Sequence, residues 1–308
     1  MTSPAAAVVD SLVTELIERA GSPLLASGVF LSRLDLEIEI EIFRAAVAHL
    51  PWASVGVSLL DNDMFALLRT GTVEPDAVAV VCGTGINCIG VRADGETARF
   101  AALGTISGDW RGGSQLGEQA LWYAARATDG RGIPTSFTES VPRHFAHPDV
   151  AAVIEALHFG RLPRSVFATL ASVVLEASDA GDVAARAIID RQAREIVDLG
   201  VAALGRLGLL SSAVPIVLGG AVLAQSNAVL IGAIEGGFFE RAPLCRIAVI
   251  RDRPIIGATL LTLEAVGASA EELESARVGL AGRFAQLDAE HASLGRRDPG
   301  EVGNDRTP

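Results

Sequence analysis

The sequence contains no lysine. All 25 of its basic residues are arginines, and against 37 acidic residues they leave a formal net charge of −12. The missing amine excludes a lysine Schiff base and the lysine of a GxxxxGK[ST] phosphate loop. Any phosphate chemistry would therefore use backbone amides, arginine and metal. The acidic balance also argues against binding nucleic acid by bulk charge.

Cysteine is scarce as well: Cys82, Cys88 and Cys245 are an odd count without CxxC spacing. No basic residue precedes Arg19, so the chain start lacks the charge pattern of a secretory signal. We expect a reduced, cytoplasmic protein. The 28 residues 207–234 carry no charge and are long enough to suggest a membrane span. Pro215, Gly219 and Gly220 interrupt the run, however, and predict a strand, a turn and a helix instead.

With 308 residues, half of them hydrophobic, the chain has room for roughly two domains of about 150 residues. Apolar residues at helical spacing predict a helix over 5–20. The segment 34–42 alternates apolar and acidic residues, but a second stripe favours a helix over 37–49. The predicted strands are 26–31, 54–60, 77–82, 86–92, 97–101, 214–218 and 246–250. Four predicted helical stretches, 115–128, 149–158, 164–179 and 183–207, follow the first five strands, and a further helix, 255–266, follows the last strand.

Strands and helices alternate along the chain, with an antiparallel meander over 77–101, so the fold class is α/β. We predict three regions: residues 1–72, residues 73–267, and a charged helical tail over 268–308 with a disordered end from Arg296 to Pro308.

The first candidate site is Asp61, Asn62 and Asp63, at the end of a hydrophobic strand. α/β folds place reactive groups at strand ends. One interpretation is that Asn62 or Asp63 caps the following helix. The other is a carboxylate that accepts a proton from a substrate hydroxyl.

Two glycine-rich segments are candidates for anion or ligand binding. Gly83 and Gly85 flank Thr84 between two strands, where backbone amides could approach an anion, although tight hairpins use glycine for purely conformational reasons. The segment Gly104–Ser114 contains Asp109 and precedes a helix, which favours a ligand loop over a flexible connector.

A glycine pair, Gly219 and Gly220, follows a buried strand and precedes a helix. This suits a nucleotide that lies across the strand end, and it equally suits an ordinary strand-to-helix turn. The five histidines form no metal-ligand pattern. His144 and His147 share helical spacing in a loop that contains proline and phenylalanine, and we interpret them as surface residues.

Taken in order, these segments resemble the N-acetylglucosamine kinase and BadF/BadG/BcrA/BcrD-type ATPase family of the sugar kinase, Hsp70 and actin-like ATPase superfamily. The resemblance covers residues 5–267. It rests on five motifs, which are Asn62-Asp63, CGTGINC at 82–88, LGTISGD at 103–109, LGGAV at 218–222 and RPIIGATLL at 253–261.

The resemblance implies a two-lobed actin-like (RNase H-like) fold, with ATP on the C-terminal lobe, an acceptor sugar between the lobes, and a homodimer. Magnesium would bridge the phosphates. The implied base on the sugar hydroxyl is Asp63. The implied sugar ligands are Asn62, Gly85, Asn87 and Asp109, and the implied nucleotide contacts are Gly83, Thr84, Gly85, Gly219 and Gly220.

The sequence also departs from this family. The family begins with a strand and an Asp-Gly-Gly-x-Thr-x-Thr turn that holds phosphates, and the 308 residues contain no such turn. We therefore expect an incomplete N-terminal lobe, a complete C-terminal lobe, a start that lies upstream of Met1 or a truncated form, and an unpaired edge on the strand 26–31. Trp110 and Arg111 stand where the family reads GDEGS, which leaves the acceptor open.

Three functions follow from these observations. The first is an ATP-dependent kinase of an amino sugar such as N-acetylglucosamine. The second is a non-catalytic sugar or nucleotide binder without phosphate handling. The third is an ATPase that activates a CoA-ester reductase or dehydratase through an iron–sulfur cluster, which would need suitably placed cysteine pairs.

Overall fold

The computed structural model describes residues 4–294, and the predicted disordered end lies outside them. The N-terminal part contains a two-stranded parallel sheet, β1 and β2, in which Ala26 pairs with Val57 and Leu31 with Asn62. Its elements are α1 (Pro4–Ala20), β1 (Ala26–Leu31), α2 (Glu37–Val47), β2 (Val57–Asn62) and α3 (Asp63–Gly71). Strand β2 begins three residues later than predicted, because a 3₁₀ turn at residues 51–53 continues into a bend over residues 54–56.

Helix α2 confirms the choice of helix over strand for a segment with mixed periodicity. Ile40, Phe43 and Val47 form its buried face, while Ile38 and Ile42 remain exposed. The buried stripe has helical spacing, and the two exposed isoleucines are what gave the segment its apparent period of two.

The second sheet has five strands in the order β5-β4-β3-β6-β7. The first three strands form the predicted antiparallel meander, and β3, β6 and β7 are parallel. This arrangement brings the ends of β3 and β6 side by side, with Val81 paired to Gly219. The strands are β3 (Ala77–Cys82), β4 (Ile86–Val91), β5 (Thr97–Arg99), β6 (Pro215–Gly219) and β7 (Arg246–Val249).

Helices cover this sheet and form most of the larger hydrophobic core. Helix α5 lies where we predicted a loop, because Phe137 and Val141 pack inward in spite of Pro142. Residues 164–170 are a 3₁₀ helix rather than α-helix. The remaining helices are α4 (Gly113–Thr128), α5 (Phe137–His144), α6 (Val150–His158), α7 (Ala171–Asp179), α8 (Val183–Arg206), α9 (Ala228–Arg241), α10 (Ile255–Ala265) and α11 (Ala270–Leu294).

Helix α10 joins the two parts of the molecule, since it follows β7 in the chain but packs against α3 and β1. The Gly257 amide donates to Thr70 Oγ1 at 3.0 Å, and Arg277 of α11 donates to the Thr70 carbonyl at 2.9 Å. The division into residues 1–72, 73–267 and 268–308 stays a prediction.

The uncharged run 207–234 is divided as the sequence indicated. It contains β6, a short 3₁₀ turn and the first half of α9. Within residues 4–294, none of the helices has both the length and the apolar character that crossing a bilayer requires.

Candidate functional site

A cleft of about 420 Å³ lies between the loop after β1 and the loops after β3 and β5. The N-terminal part contributes Arg33, Asp35 and Glu39 to its wall. The C-terminal part contributes two of the segments that sequence reasoning singled out. The lining residues from that part are Thr84, Gly85, Ile86, Ala102, Leu103, Gly104, Asp109, Arg111 and Ser114.

Backbone strain is concentrated at this cleft. Arg33, Ala102 and Arg111 have φ angles of 67°, 49° and 62°, in the left-handed region that side chains disfavour. They are three of the five non-glycine residues with such angles among residues 4–294, and all three line the cleft. Strained residues persist where the surroundings fix them, and they cluster at functional sites.

The two predicted glycine-rich segments pack directly on each other. The Gly113 amide donates to the Gly83 carbonyl at 2.7 Å, and the Ser114 amide donates to the Thr84 carbonyl at 3.2 Å. A Cβ on Gly112 would lie 2.2 Å from the Gly85 carbonyl oxygen. The segment Gly104–Ser114 is therefore held in place by these contacts, which argues against a flexible connector.

Gly83 and Gly85 differ from Gly112, because a side chain would fit at both positions. A Cβ on Gly83 would have no neighbour closer than 3.9 Å, and one on Gly85 would have none within 4 Å. Neither residue has a left-handed φ angle. Packing does not require glycine here, so the interpretation that a ligand approaches the backbone is strengthened.

At Gly219, the last residue of β6, and at Gly220, a side chain would not fit. A Cβ on Gly219 would lie 2.8 Å from Leu67 Cδ1, and one on Gly220 would lie 2.6 Å from the Cys82 carbonyl oxygen. Gly220 also has a φ angle of +96°. Internal packing and the turn itself account for both glycines, and their role toward a nucleotide stays a prediction.

Asp35 joins two residues that were predicted separately. Its Oδ1 accepts a hydrogen bond from Asn62 Nδ2 at 3.0 Å and another from Asn87 Nδ2 at 2.9 Å. Asn62 ends β2 of the N-terminal sheet, and Asn87 lies on β4 of the larger sheet. The three side chains line a small cavity of about 10 Å³ beside the cleft. Asp35 is thus a polar link between the two sheets.

The environment of Asp35 raises its pKa to about 6. Burial is the main cause, because it disfavours the ionised form, and the negative charges of Glu39 and Asp63 add to it. The two asparagine amides act in the opposite direction by donating to the carboxylate.

Asn62 caps α3, which confirms one of the two interpretations of this segment. Its Oδ1 accepts from the Met64 amide at 2.9 Å. Asp63 is the first residue of α3 and does not make that cap. Burial raises the pKa of the Asp63 carboxyl, and a hydrogen bond from its own backbone partly offsets this effect. A carboxylate with a raised pKa is a stronger proton acceptor than an exposed one.

Two further predicted carboxylates have structural partners. Asp61 forms a two-pronged ion pair with Arg99 across the two sheets, at 2.8 and 2.7 Å. Asp109 Oδ2 accepts from the Gly104 amide at 2.8 Å and from the Ser107 hydroxyl at 2.7 Å. Asp109 therefore shapes its own loop as well as lining the cleft.

The cysteines are free and buried. Burial raises the pKa of Cys82 to about 12 and also raises that of Cys88 and Cys245. Buried protonated thiols are poor candidates for cluster ligands, so the arrangement gives the reductase-activator hypothesis no support. His144 is exposed on α5 and contacts Thr169 Oγ1 at 2.8 Å.

Sequence reasoning missed Arg33, Asp35 and Glu39 as cleft residues. Asp35 follows the end of β1, so the strand-end argument that identified Asp63 applies to it equally. Arg111 lies within the predicted ligand loop Gly104–Ser114, but the sequence singled it out only as a departure from a motif. No local pattern reveals the left-handed conformations of Arg33 and Arg111, since these depend on contacts made in the folded chain.

Two curated proteins are similar to this chain in sequence. The N-acetyl-D-glucosamine kinase of Dictyostelium discoideum is 25% identical over 236 residues, which is 76% of this chain and 73% of the relative. The N-acetylmuramic acid/N-acetylglucosamine kinase of Clostridium acetobutylicum is 25% identical over 173 residues, 56% of each chain.

Solved structures share the fold. A Chromobacterium violaceum protein described as a candidate N-acetylglucosamine kinase superposes with a TM-score of 0.61 at 22% identity, over 84% of this chain and 86% of that one. This chain thus shares its mixed α/β fold with that structure. The sequence profile of the BadF/BadG/BcrA/BcrD ATPase family matches residues 4–262. The chain belongs to the BadF/BadG/BcrA/BcrD ATPase family.

Proposed function

We propose that this protein transfers a phosphoryl group from ATP to a hydroxyl of an amino sugar, with N-acetylglucosamine as the first acceptor to test and Asp63 as the base. The observation that carries the proposal is the cleft, where strained backbone, two arginines and the predicted residues Thr84, Gly85 and Asp109 come together. Family membership and the two kinase relatives support the same reaction class.

In this proposal arginines of the cleft bind the phosphates of ATP, because the chain has no lysine to do so. Arg33 and Arg111 line the cavity together with the exposed Thr84 and the glycine Gly85, which leaves open space in front of its backbone. Arginine and small residues are appropriate partners for phosphate oxygens. ATP with Mg²⁺ would supply the transferable phosphoryl group and neutralise its charge.

For the acceptor we propose hydrogen-bond partners and a base. Asp63 is not among the residues that line the two cavities, but its charge acts on Asp35, which lines both. Asn62 and Asn87 both donate to Asp35, which lines the cleft. Asp109 lines the cleft as well. In the proposed step the sugar oxygen bonds to the terminal phosphorus while the bond from that phosphorus to the bridging oxygen breaks. Asp63 takes the hydroxyl proton, and ADP is the leaving group.

The test is ADP release over a panel of sugars that includes N-acetylglucosamine and glucosamine. We expect Asp63→Asn to lower sugar-dependent turnover by about 100-fold or more, because loss of a positioned base typically has an effect of that size. The control is Asp190→Asn, which changes an exposed carboxylate on α8 that does not line the cleft. Equal turnover in Asp63→Asn and the original protein would disprove the assignment of the base.

A second candidate function is sugar binding without transfer. The 308 residues favour it, because they contain no Asp-Gly-Gly-x-Thr-x-Thr turn to hold the phosphates. This function predicts that N-acetylglucosamine raises the melting temperature while no ADP forms with any sugar of the panel.

A further inference from the structure

Asp35 presents its two carboxylate oxygens to different surroundings. Oδ1 accepts the amides of Asn62 and Asn87, as described above. Each of these asparagines uses its own Oδ1 to accept a backbone amide, from Met64 and from Cys88 at 2.7 Å. The orientation of both side chains is therefore fixed, and each directs one N–H of its Nδ2 group to Asp35.

Asp35 Oδ2 has no hydrogen bond from the part of the chain that the structure describes. Asp35 is half-buried and lines both the small cavity and the 420 Å³ cleft. A carboxylate oxygen accepts hydrogen bonds and cannot donate them while ionised. An unpaired acceptor at the wall of a cleft suits a ligand rich in hydroxyl groups, because bonds to a charged acceptor are stronger than bonds to a neutral one.

We propose that Asp35 is a sugar-binding residue of this cleft: Oδ1 fixes the amides of Asn62 and Asn87, and Oδ2 accepts a hydrogen bond from a hydroxyl of the bound sugar. This inference rests on the proposed function, because it assigns a residue of the same site. It also explains why Asp35 contacts residues of both sheets, because those contacts position the carboxylate that would bind the sugar.

The charged groups around Asp35 determine how binding depends on pH. Glu39 and Asp63 raise the pKa of Asp35. Further residues with positive and negative charges line the two cavities. Those further charged residues are Arg33, Arg99, Asp109 and Arg111. Protonation below about pH 6 removes the charge from Asp35 and weakens its role as an acceptor. Sugar affinity should therefore fall as the pH decreases through this region.

The experiment measures N-acetylglucosamine binding by calorimetry without nucleotide, and KM and kcat in the ADP assay. We expect Asp35→Asn to weaken sugar binding and raise KM by about tenfold or more, with a smaller change in kcat, because it removes a charged acceptor. The KM of the original protein should rise below pH 6, and that of the variant should stay nearly constant. The matched control is Glu41→Gln, an exposed carboxylate on α2.

A double variant tests whether Asp35 acts together with its partner. Asn87→Ala removes one amide from Oδ1, and its effect on KM should not add to that of Asp35→Asn, since both changes break the same contact. Additive effects would contradict a shared arrangement. Melting temperatures of all variants show whether each one is folded.

The outcomes separate the two proposals. If the original protein binds and phosphorylates a sugar while Asp35→Asn matches it in affinity, KM and pH profile, the assignment of Asp35 is wrong and the kinase remains. If the original protein binds no sugar of the panel and releases no ADP, the proposed function fails and the assignment of Asp35 fails with it.

Discussion

The two sheets contain the same local unit with different burial. In each, two parallel strands alternate with two helices: β1, α2, β2 and α3 in one, and β6, α9, β7 and α10 in the other. Strand β6 is buried at all five positions because β3 and β7 flank it. Strand β1 is buried at two of six and pairs with β2 alone among the described residues. The same unit is therefore supported to different extents by its neighbours.

The hydrophobic cores show the same contrast. Within residues 4–294, the cluster around the five-stranded sheet contains 41 buried residues, and the cluster around β1 and α2 contains eight. Val8, Leu12 and Leu16 form an exposed apolar stripe on α1. Few buried contacts mean a low free energy of local opening. We infer that the region around β1 and α2 opens more readily than the rest, although it supplies Arg33, Asp35 and Glu39 to the wall of the cleft.

Matched phenylalanine truncations test this contrast most strongly. Phe238 of α9 is fully buried, and Phe43 of α2 is 5% exposed. We expect Phe238→Ala to lower the free energy of unfolding by about 4 kcal/mol, and Phe43→Ala by about 3 kcal/mol or less, because the smaller cluster can collapse around the loss. Denaturant unfolding measures both, and amide exchange shows where protection is lost. Equal costs with protection lost throughout the chain would mean that the two parts unfold as one unit.

Substitution of a single glycine should weaken the contact of α10 with α3, which joins the two parts. A Cβ on Gly257 of α10 would lie 1.9 Å from the Ala66 carbonyl oxygen and 2.6 Å from the Thr70 amide. We expect Gly257→Ala to destabilise the protein by about 2 kcal/mol, because backbone atoms of α3 must move. Amide exchange in β1 and β2 should increase first.

The control for this change is Gly232→Ala in α9, where a Cβ would have no neighbour within 4 Å. That substitution should stabilise the helix by about 0.5 kcal/mol or leave it unchanged. If Gly257→Ala behaved like Gly232→Ala in thermal melts, the close packing of α3 on α10 would not hold the two parts together.

The sequence was most informative where patterns are local. The meander of β3, β4 and β5 and the strand β6 were predicted to within one or two residues, because apolar runs bounded by glycine, aspartate and proline mark them clearly. The helix α5 was missed, since Pro142 suggested a loop while buried Phe137 and Val141 hold the helix in the folded protein.

The site was harder to predict than the fold, for a physical reason. Asn62 and Asn87 were identified from motifs, but their shared partner Asp35 lies 27 residues before one and 52 before the other. Sequence spacing gives no information on such a contact, because it exists only once β2 and β4 face each other. The packing role of Gly219 against Leu67 was hidden for the same reason.

The smallest expected effect concerns the contact at which the two sheets meet. The pKa of Asp35 is about 6 in the folded protein, above the value of 3.8 expected without burial. Between these values the folded state binds more protons than the unfolded state, so the Asp35 contribution to stability decreases as the pH rises through this window.

Asp35→Asn removes the titration of this carboxyl. The melting temperature of the variant should therefore rise relative to that of the original protein between about pH 4 and pH 7, by a few degrees at most because Asp35 is only half-buried. Glu41→Gln should show no such trend. A difference between Asp35→Asn and the original protein that stays constant with pH would mean that the Asp35 carboxyl is solvated, and that the two sheets are further apart at this point than the hydrogen bonds to Asn62 and Asn87 require.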